Sequence, residues 1–182
     1  MGDLRKVDDV KKIAVIYKSK YGTTKRYAEW IAHELDAYLF EASATKPEVL
    51  SSYDIVVYGG GLYASGIIGV KLVTKNPCKR LVVFTVGVAD PTASDYSAIL
   101  KANFTPEMQA KIKVFHLRGG IDYPNLSIIH KGMMAIVKKG LEKKPLEKRT
   151  SEDKAVLETY GTKIDFTDKA TIQPLVDYVR TL

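Results

Sequence analysis

Residues 12–35 read KIAVIYKSKYGTTKRYAEWIAHEL and predict a strand, a loop and a helix in direct succession. The apolar run Ile13–Tyr17 is short and rich in β-branched residues, which is typical of a buried strand. The segment Ser19–Thr24 follows as a loop of hydroxyl side chains around one glycine. Apolar residues then recur at helical spacing: Tyr27, Ala28, Ile31, Ala32 and Leu35. This order brings backbone N–H groups, hydroxyls and the positive end of a helix to one point, and it predicts a phosphate-binding site.

The spacing of this loop separates it from two commoner nucleotide-binding motifs. The Gly-Lys-Ser/Thr ending of a Walker A loop is absent, and so is the G-x-G-x-x-G of dinucleotide-binding folds. Instead, Val15-Ile16-Tyr17-x-Ser19-x-x-Gly22-x-Thr24-x-x-x-Ala28-x-x-Ile31 resembles the signature of the flavodoxins. The resemblance implies an FMN phosphate held by Ser19, Lys20, Tyr21, Gly22, Thr23 and Thr24. The alternative interpretation is an ordinary strand–turn–helix whose hydroxyls only cap the helix.

The overall composition is that of a soluble globular protein. Of the 182 residues 46% are apolar, and no apolar run reaches the ~18 residues that a membrane span needs. The polar start Met1–Lys12 lacks a signal-peptide core, and a single cysteine, Cys78, excludes an internal disulfide framework, so a cytoplasmic location is expected. No Cys/His spacing indicates a metal. The net charge of +7 is opposite to that of the usual acidic flavodoxins, and it indicates either an anionic partner or a solvated lysine-rich surface.

Further apolar segments complete an alternating strand and helix pattern. Strands are predicted over residues 37–42, 54–58, 80–86 and 113–117. Helices are predicted over residues 67–75, from 94 or 95 to 104, and from 167 or 168 to 180. Alternation of this kind predicts an α/β doubly wound parallel sheet with right-handed crossovers. The resemblance implies a three-layer, five-stranded flavodoxin-like sheet in the order 2-1-3-4-5, and residues 1–182 are expected to form a single domain with its ligand at the carboxyl ends of the strands.

Two later loops are expected to hold the flavin ring. In the flavodoxins, which this chain resembles, the loop after the third strand supplies a residue that stacks on the ring. The resemblance implies that Tyr63 is this residue. The contacts implied there are Gly60, Gly61, Leu62, Tyr63 and Ala64. The loop after the fourth strand is expected to close over the pyrimidine edge with backbone donors from Val86, Gly87, Val88, Ala89 and Asp90. The alternative for Tyr63 is a surface aromatic in a glycine-rich turn.

Two departures from the family pattern bear on the reaction. Ala64 stands where the family often has a glycine, and its side chain adds roughly 1 kcal/mol to a left-handed backbone conformation there. That substitution disfavours a role as a one-electron carrier. The second stacking aromatic of the family has no clear counterpart, because Tyr96 lies several residues late and is predicted as a helix residue. One face of the flavin is therefore expected to be open to a substrate.

Residues 121–166 are far longer than a usual connection between a strand and a helix. Within them, residues 125–144 read NLSIIHKGMMAIVKKGLEKK and predict a basic amphipathic helix, while residues 143–153 are predicted to be a solvent-exposed crossing. Such a helix either packs on its own domain or makes peripheral contact with an anionic membrane, and the sequence leaves both open. The layout of this late insertion, with Gly119–Pro124 before it and Asp165–Asp168 after it, resembles the menaquinone-dependent protoporphyrinogen oxidases.

The resemblances imply an FMN-binding redox protein, and three functional classes stay open. The first is a flavodoxin-type carrier that passes electrons between partner proteins. The second is a protoporphyrinogen oxidase-like enzyme of haem biosynthesis that uses a quinone, and the third is a non-catalytic flavodoxin-like binding module. No catalytic acid or base is assigned, because His33, His116 and His130 are scattered without a triad-like partner. No nucleic-acid partner is predicted.

Overall fold

The structure is a computed structural model that describes residues 11–63 and 66–182. Five parallel strands form the central sheet of this part of the chain. These strands are β1 (Ile13–Lys18), β2 (Tyr38–Glu41), β3 (Ile55–Tyr63), β5 (Leu81–Gly87) and β6 (Lys113–Arg118). A short strand, β4 (Gly66–Ile67), pairs antiparallel with the end of β3. The order β2-β1-β3-β5-β6 is the predicted order 2-1-3-4-5 of the parallel strands, and it confirms the predicted α/β fold.

The sheet is buried on both faces because neighbouring residues of a strand point to opposite sides. On one face, Val15 and Phe84 pack against α1 (Thr23–Glu34) and α7 (Gln173–Thr181). The other face is covered by shorter helices: α2 (Lys71–Thr74), α3 (Ser97–Asn103) and α4 (Pro106–Gln109). Short 3-10 turns lie at Ala42–Ala44, Pro47–Ser52, Pro91–Ala93, Leu146–Lys148 and Lys169–Ile172. The continuous apolar strands of the sequence are thus explained by packing on two sides.

The third strand continues through residues that were expected to form a loop. The prediction that it ends at Tyr58 was wrong, because β3 runs on to Tyr63. Gly59 lies directly under Phe84, where an added Cβ would stand 2.0 Å from the ring atom Cζ. The glycines therefore allow close packing inside a central strand rather than a turn. The predicted helix over residues 67–75 was also wrong in its first half, since Ile67 belongs to β4.

The late insertion contains two helices and a small antiparallel ribbon. The ribbon pairs β7 (Gly120–Asp122) with β8 (Lys163–Asp165), and the helices are α5 (Ile128–Lys143) and α6 (Ser151–Thr159). The prediction that residues 143–153 form an exposed crossing was wrong at its end, because α6 begins at Ser151. No helix within residues 11–63 or 66–182 is long and apolar enough to cross a membrane.

Candidate functional site

A cavity of about 320 Å³ opens at the carboxyl ends of the parallel strands. Its walls come from the loop after β1, the end of β3, the loop after β5 and the segment after β6, and the insertion forms its roof. This is the edge of the sheet where ligands of doubly wound folds bind. The three loops that the sequence singled out therefore meet at one site.

The loop after β1 presents the amino end of α1 to the cavity. Gly22 precedes the helix in a left-handed conformation (φ 90°), and no described side chain caps the first turn. Ser19 Oγ accepts a hydrogen bond from the Gly22 N–H at 3.0 Å, which closes the loop upon itself. Thr24 is buried beside Gly61, with only 3% of its surface exposed. An uncapped helix start with no acidic residue in its first turn fits a phosphate group.

Lys20 and Tyr63 form the side of the cavity next to this loop. The Lys20 ammonium lies 4.1 Å from the centre of the Tyr63 ring, in a cation–π contact. Burial lowers the pKa of Lys20. An aromatic ring and a cation beside an anion-binding loop suit a ligand that has both a ring system and a phosphate, such as FMN.

The loop after β5 holds two backbone donors at the opposite wall. Val88 N–H and Ala89 N–H each donate to the carboxylate of Glu152 at 2.9 Å. The Val88 carbonyl accepts from Arg118 Nε at 3.0 Å. A side chain at Gly87 would place its Cβ 2.7 Å from a Glu152 oxygen, so only glycine allows this approach. The insertion therefore reaches into the flavin loop that the sequence predicted.

Tyr96, which the sequence analysis assigned to a helix and left out of the site, lies in the cavity wall. It precedes α3, is only 8% exposed and lines the cavity. Its ring stacks on His116 with centroids 3.6 Å apart and an interplanar angle of 5°. His116 Nδ1 lies 2.6 Å from the Thr85 hydroxyl, and burial lowers the pKa of His116 to about 4. A neutral imidazole at neutral pH thus fixes an aromatic ring in the wall; a histidine in the middle of an apolar strand was the available signal.

The roof of the cavity comes from the insertion and combines apolar side chains with a polar group at the start of α6: Thr150, Ser151, Glu152 and Asp153. Met134, Val137 and Leu141 of α5 and Val156 of α6 line it. The Tyr21 hydroxyl donates to Met134 Sδ at 3.2 Å, which ties the roof to the loop after β1. The sequence left open whether α5 packs on its own domain or contacts a membrane, and none of its residues was predicted to be in the site. The helical spacing of its apolar residues was the signal that it has a buried face.

Most of the predicted cofactor residues line the cavity: Lys20, Tyr21, Thr23, Thr24, Gly61, Leu62, Tyr63, Val86, Gly87, Val88 and Ala89. Ser19, Gly22, Gly60 and Asp90 lie next to this wall; Asp90, for example, accepts from the Thr92 N–H at 2.9 Å. Ala64 lies outside the described residues. Gly119 and Gly120, which follow β6, also line the cavity.

The family model described as a flavodoxin domain matches residues 14–148. Among solved structures, oxidised flavodoxin 2 from Bacillus cereus is 19% identical over 59% of this chain and 84% of that chain, with a TM-score of 0.43. The flavodoxin, WrbA-like protein from Agrobacterium tumefaciens is 15% identical over 92% of this chain and 98% of that chain, also with a TM-score of 0.43. A search of curated proteins found no match. Because the family model spans well over half of the 182 residues, the chain belongs to the flavodoxin domain family of redox proteins, with FMN as its cofactor.

Proposed function

We propose that the chain is an FMN-dependent oxidoreductase that acts on a bulky apolar small molecule, with an activity like that of the menaquinone-dependent protoporphyrinogen oxidases. The observation that carries the proposal is the roof formed by Met134, Val137, Leu141 and Val156. A carrier that exchanges electrons with proteins needs an exposed flavin edge, whereas a cavity that is covered by apolar side chains suits a small-molecule substrate. The sequence resemblance of the insertion to those oxidases supports the same choice.

The residues of the chain hold and orient the cofactor in this proposal. The uncapped start of α1 and the buried Thr24 hydroxyl hold the FMN phosphate. Tyr63 and Tyr96 supply aromatic surfaces at the walls for the ring system. Bound FMN supplies the redox chemistry, and the roof excludes water from the cavity. No side-chain acid or base is needed for this role.

The outer face of α5 supports a further part of the proposal, peripheral contact with an anionic membrane that contains the quinone. Ile128 is 89% exposed and Ile136 is 75% exposed. Lys139 and Lys143 lie on the same outward face by helical spacing, and both are exposed. Exposed aliphatic side chains among lysines on a chain of net charge +7 complement an anionic lipid surface. The helix that roofs the cavity would then also rest on the membrane.

Turnover of protoporphyrinogen with menadione tests the enzymatic activity. The FMN-loaded protein is mixed with both compounds under anaerobic conditions, and protoporphyrin formation is followed by fluorescence. We expect turnover that Met134→Lys reduces about tenfold or more, because a charge then lies among the apolar side chains of the roof. The matched variant Ile136→Lys, on the outer face of the same helix, should keep the activity in the absence of membranes. A lack of turnover by the unmodified protein contradicts the oxidase proposal and favours a carrier.

Vesicle sedimentation tests the membrane contact. Binding is compared between phosphatidylglycerol and phosphatidylcholine vesicles at low and high salt. We expect binding to the anionic vesicles only, weakened by salt and lost in the double variant Ile128→Asp, Ile136→Asp. Tyr38→Asp is the matched control, since Tyr38 is an exposed apolar residue on the edge strand β2. Equal binding by the double variant and the control would contradict the contact.

A further inference from the structure

The Glu152 carboxylate occupies two backbone donors that face the cofactor cavity. Its two oxygens accept from the Val88 and Ala89 N–H groups, each at 2.9 Å. These residues are 63 and 64 positions away in sequence, so the contact joins the insertion to the sheet. Glu152 and both loop residues line the cavity.

Two carbonyl groups of this loop are already paired with the segment at the end of β6. The Val88 carbonyl accepts from Arg118 Nε at 3.0 Å, and the Gly87 carbonyl accepts from the Gly119 N–H at 2.6 Å. The Val88 and Ala89 N–H groups, in contrast, face a residue of the cavity lining, the Glu152 carboxylate. A carboxylate satisfies them well because buried donors are costly to leave unpaired and a charged acceptor strengthens the hydrogen bonds.

We infer that Glu152 is a latch that keeps α6 over the cavity until FMN enters. The carbonyl oxygens of a flavin ring need the same kind of donor, and one N–H group does not serve a carboxylate and a ring oxygen equally well at once. In this inference, which rests on FMN binding in the cavity, the cofactor displaces the carboxylate from Val88 and Ala89. The start of α6 then moves away from the loop.

The way α6 is held makes such a movement feasible. The residues at its start, Ser151–Asp153, are polar, and Val156 further along the helix makes the contact with the apolar cluster of Ile121, Tyr123 and Met134, so moving the start of α6 exposes little apolar surface. Its first turn is stabilised within the insertion, where Thr150 and Asp153 form a capping box and Lys144 pairs with Asp153. Gly161 follows the helix with a φ of 83°. The helix can thus keep its capped first turn when Glu152 is released.

FMN binding to the cofactor-free protein tests the latch. Quenching of FMN fluorescence, at equilibrium and by stopped flow, is compared for the unmodified chain, Glu152→Ala and Glu152→Gln. If the closed state predominates, removing the latch should tighten FMN binding about tenfold or more and speed association. Glu158→Ala, an exposed residue on the same helix, is the matched control and should bind FMN as the unmodified chain does.

Hydrogen exchange at the Val88 and Ala89 amides gives an independent readout. Without FMN, both amides should exchange slowly in the unmodified chain and faster in Glu152→Ala; with FMN, they should be slow in both. Unchanged or weaker FMN binding by Glu152→Ala overturns the latch alone and makes Glu152 a permanent support of the loop. If no form of the chain binds FMN, the proposed cofactor site fails and the latch fails with it.

Discussion

The sheet and the insertion above it are stabilised by different kinds of contact. Tyr27, Tyr58 and Phe84 in the sheet layers are completely buried, whereas Met134 is the buried residue of α5 and α6 has none. The insertion is held by a smaller apolar cluster around Ile121, Tyr123 and Met134, together with polar contacts such as Glu152 on the loop after β5 and the Arg26–Asp165 ion pair. The hydrophobic sheet layers therefore provide most of the stability, and the roof is free to move or to vary.

The largest expected effect separates the two regions by stability. Phe84→Ala should lower the free energy of unfolding by about 3–5 kcal/mol, because it leaves a cavity between the sheet and its helices. Ile136→Ala, on the exposed face of α5, should change it by about 0.5 kcal/mol or less. Urea unfolding measures both. Equal losses for the two variants would show that the insertion is as firmly packed as the sheet.

A smaller effect is expected at the loop after β1, and on FMN affinity rather than on the fold. The double variant Ser19→Ala, Thr24→Ala should weaken FMN binding on the order of a hundredfold, because hydrogen bonds to the phosphate and within its loop are lost. FMN fluorescence titration measures the affinity. The matched double variant Ser43→Ala, Thr45→Ala, which lies after β2, should bind normally. An unchanged affinity in the first variant would refute the phosphate site.

Acid should destabilise the sheet through His116. Burial lowers the pKa of His116 to about 4. Between about pH 6.5 and pH 4 the imidazole is therefore neutral in the folded protein but protonated in the unfolded chain. Stability should therefore fall as the pH drops from about 6.5 to 4, by about 1 kcal/mol after allowance for partial exposure. Urea unfolding at several pH values should show this slope flattened in His116→Phe. The slope should persist in His33→Phe, whose side chain is 83% exposed; a slope unchanged in both would contradict the assignment.

The smallest effect is expected where the insertion meets α1. Burial raises the pKa of Asp165, but hydrogen bonds from Arg26 and Thr167 outweigh burial and lower this pKa to about 2. The ionised carboxylate therefore adds stability above its ordinary pKa, and this contribution is lost as the pH falls towards 2. Because both partners are nearly half exposed, Asp165→Asn should cost less than about 1 kcal/mol at pH 7. Urea unfolding at pH 7 and pH 2.5 checks this, and a larger loss at the lower pH would contradict it.

Local patterns in the sequence predicted the parallel strands and most of the cavity wall, and the resemblance to the flavodoxins supplied the strand order. The apolar strands, the Ser19–Thr24 loop and the position of Tyr63 are each recognisable within a few residues. Predictions were incomplete or wrong where one local sequence pattern is compatible with two different structures. The glycines from Gly59 onward were interpreted as a loop, but beneath Phe84 they extend a central strand. For the basic helix α5 the sequence left open packing on its own domain and contact with a membrane, and in the structure one face of the helix lines the cavity.

Residues close together in the chain were enough to predict the fold class, and with the resemblance to the flavodoxins they also predicted the cofactor and a loop for its phosphate, because strand burial and helix starts depend on neighbouring residues. The stacking of Tyr96 on His116 and the hydrogen bonds from Val88 and Ala89 to Glu152 became visible in the folded chain alone. Those pairs are separated by 20 to 64 residues, and no periodicity marks them. They arise from the way the layers pack, which brings distant side chains to the same edge of the sheet.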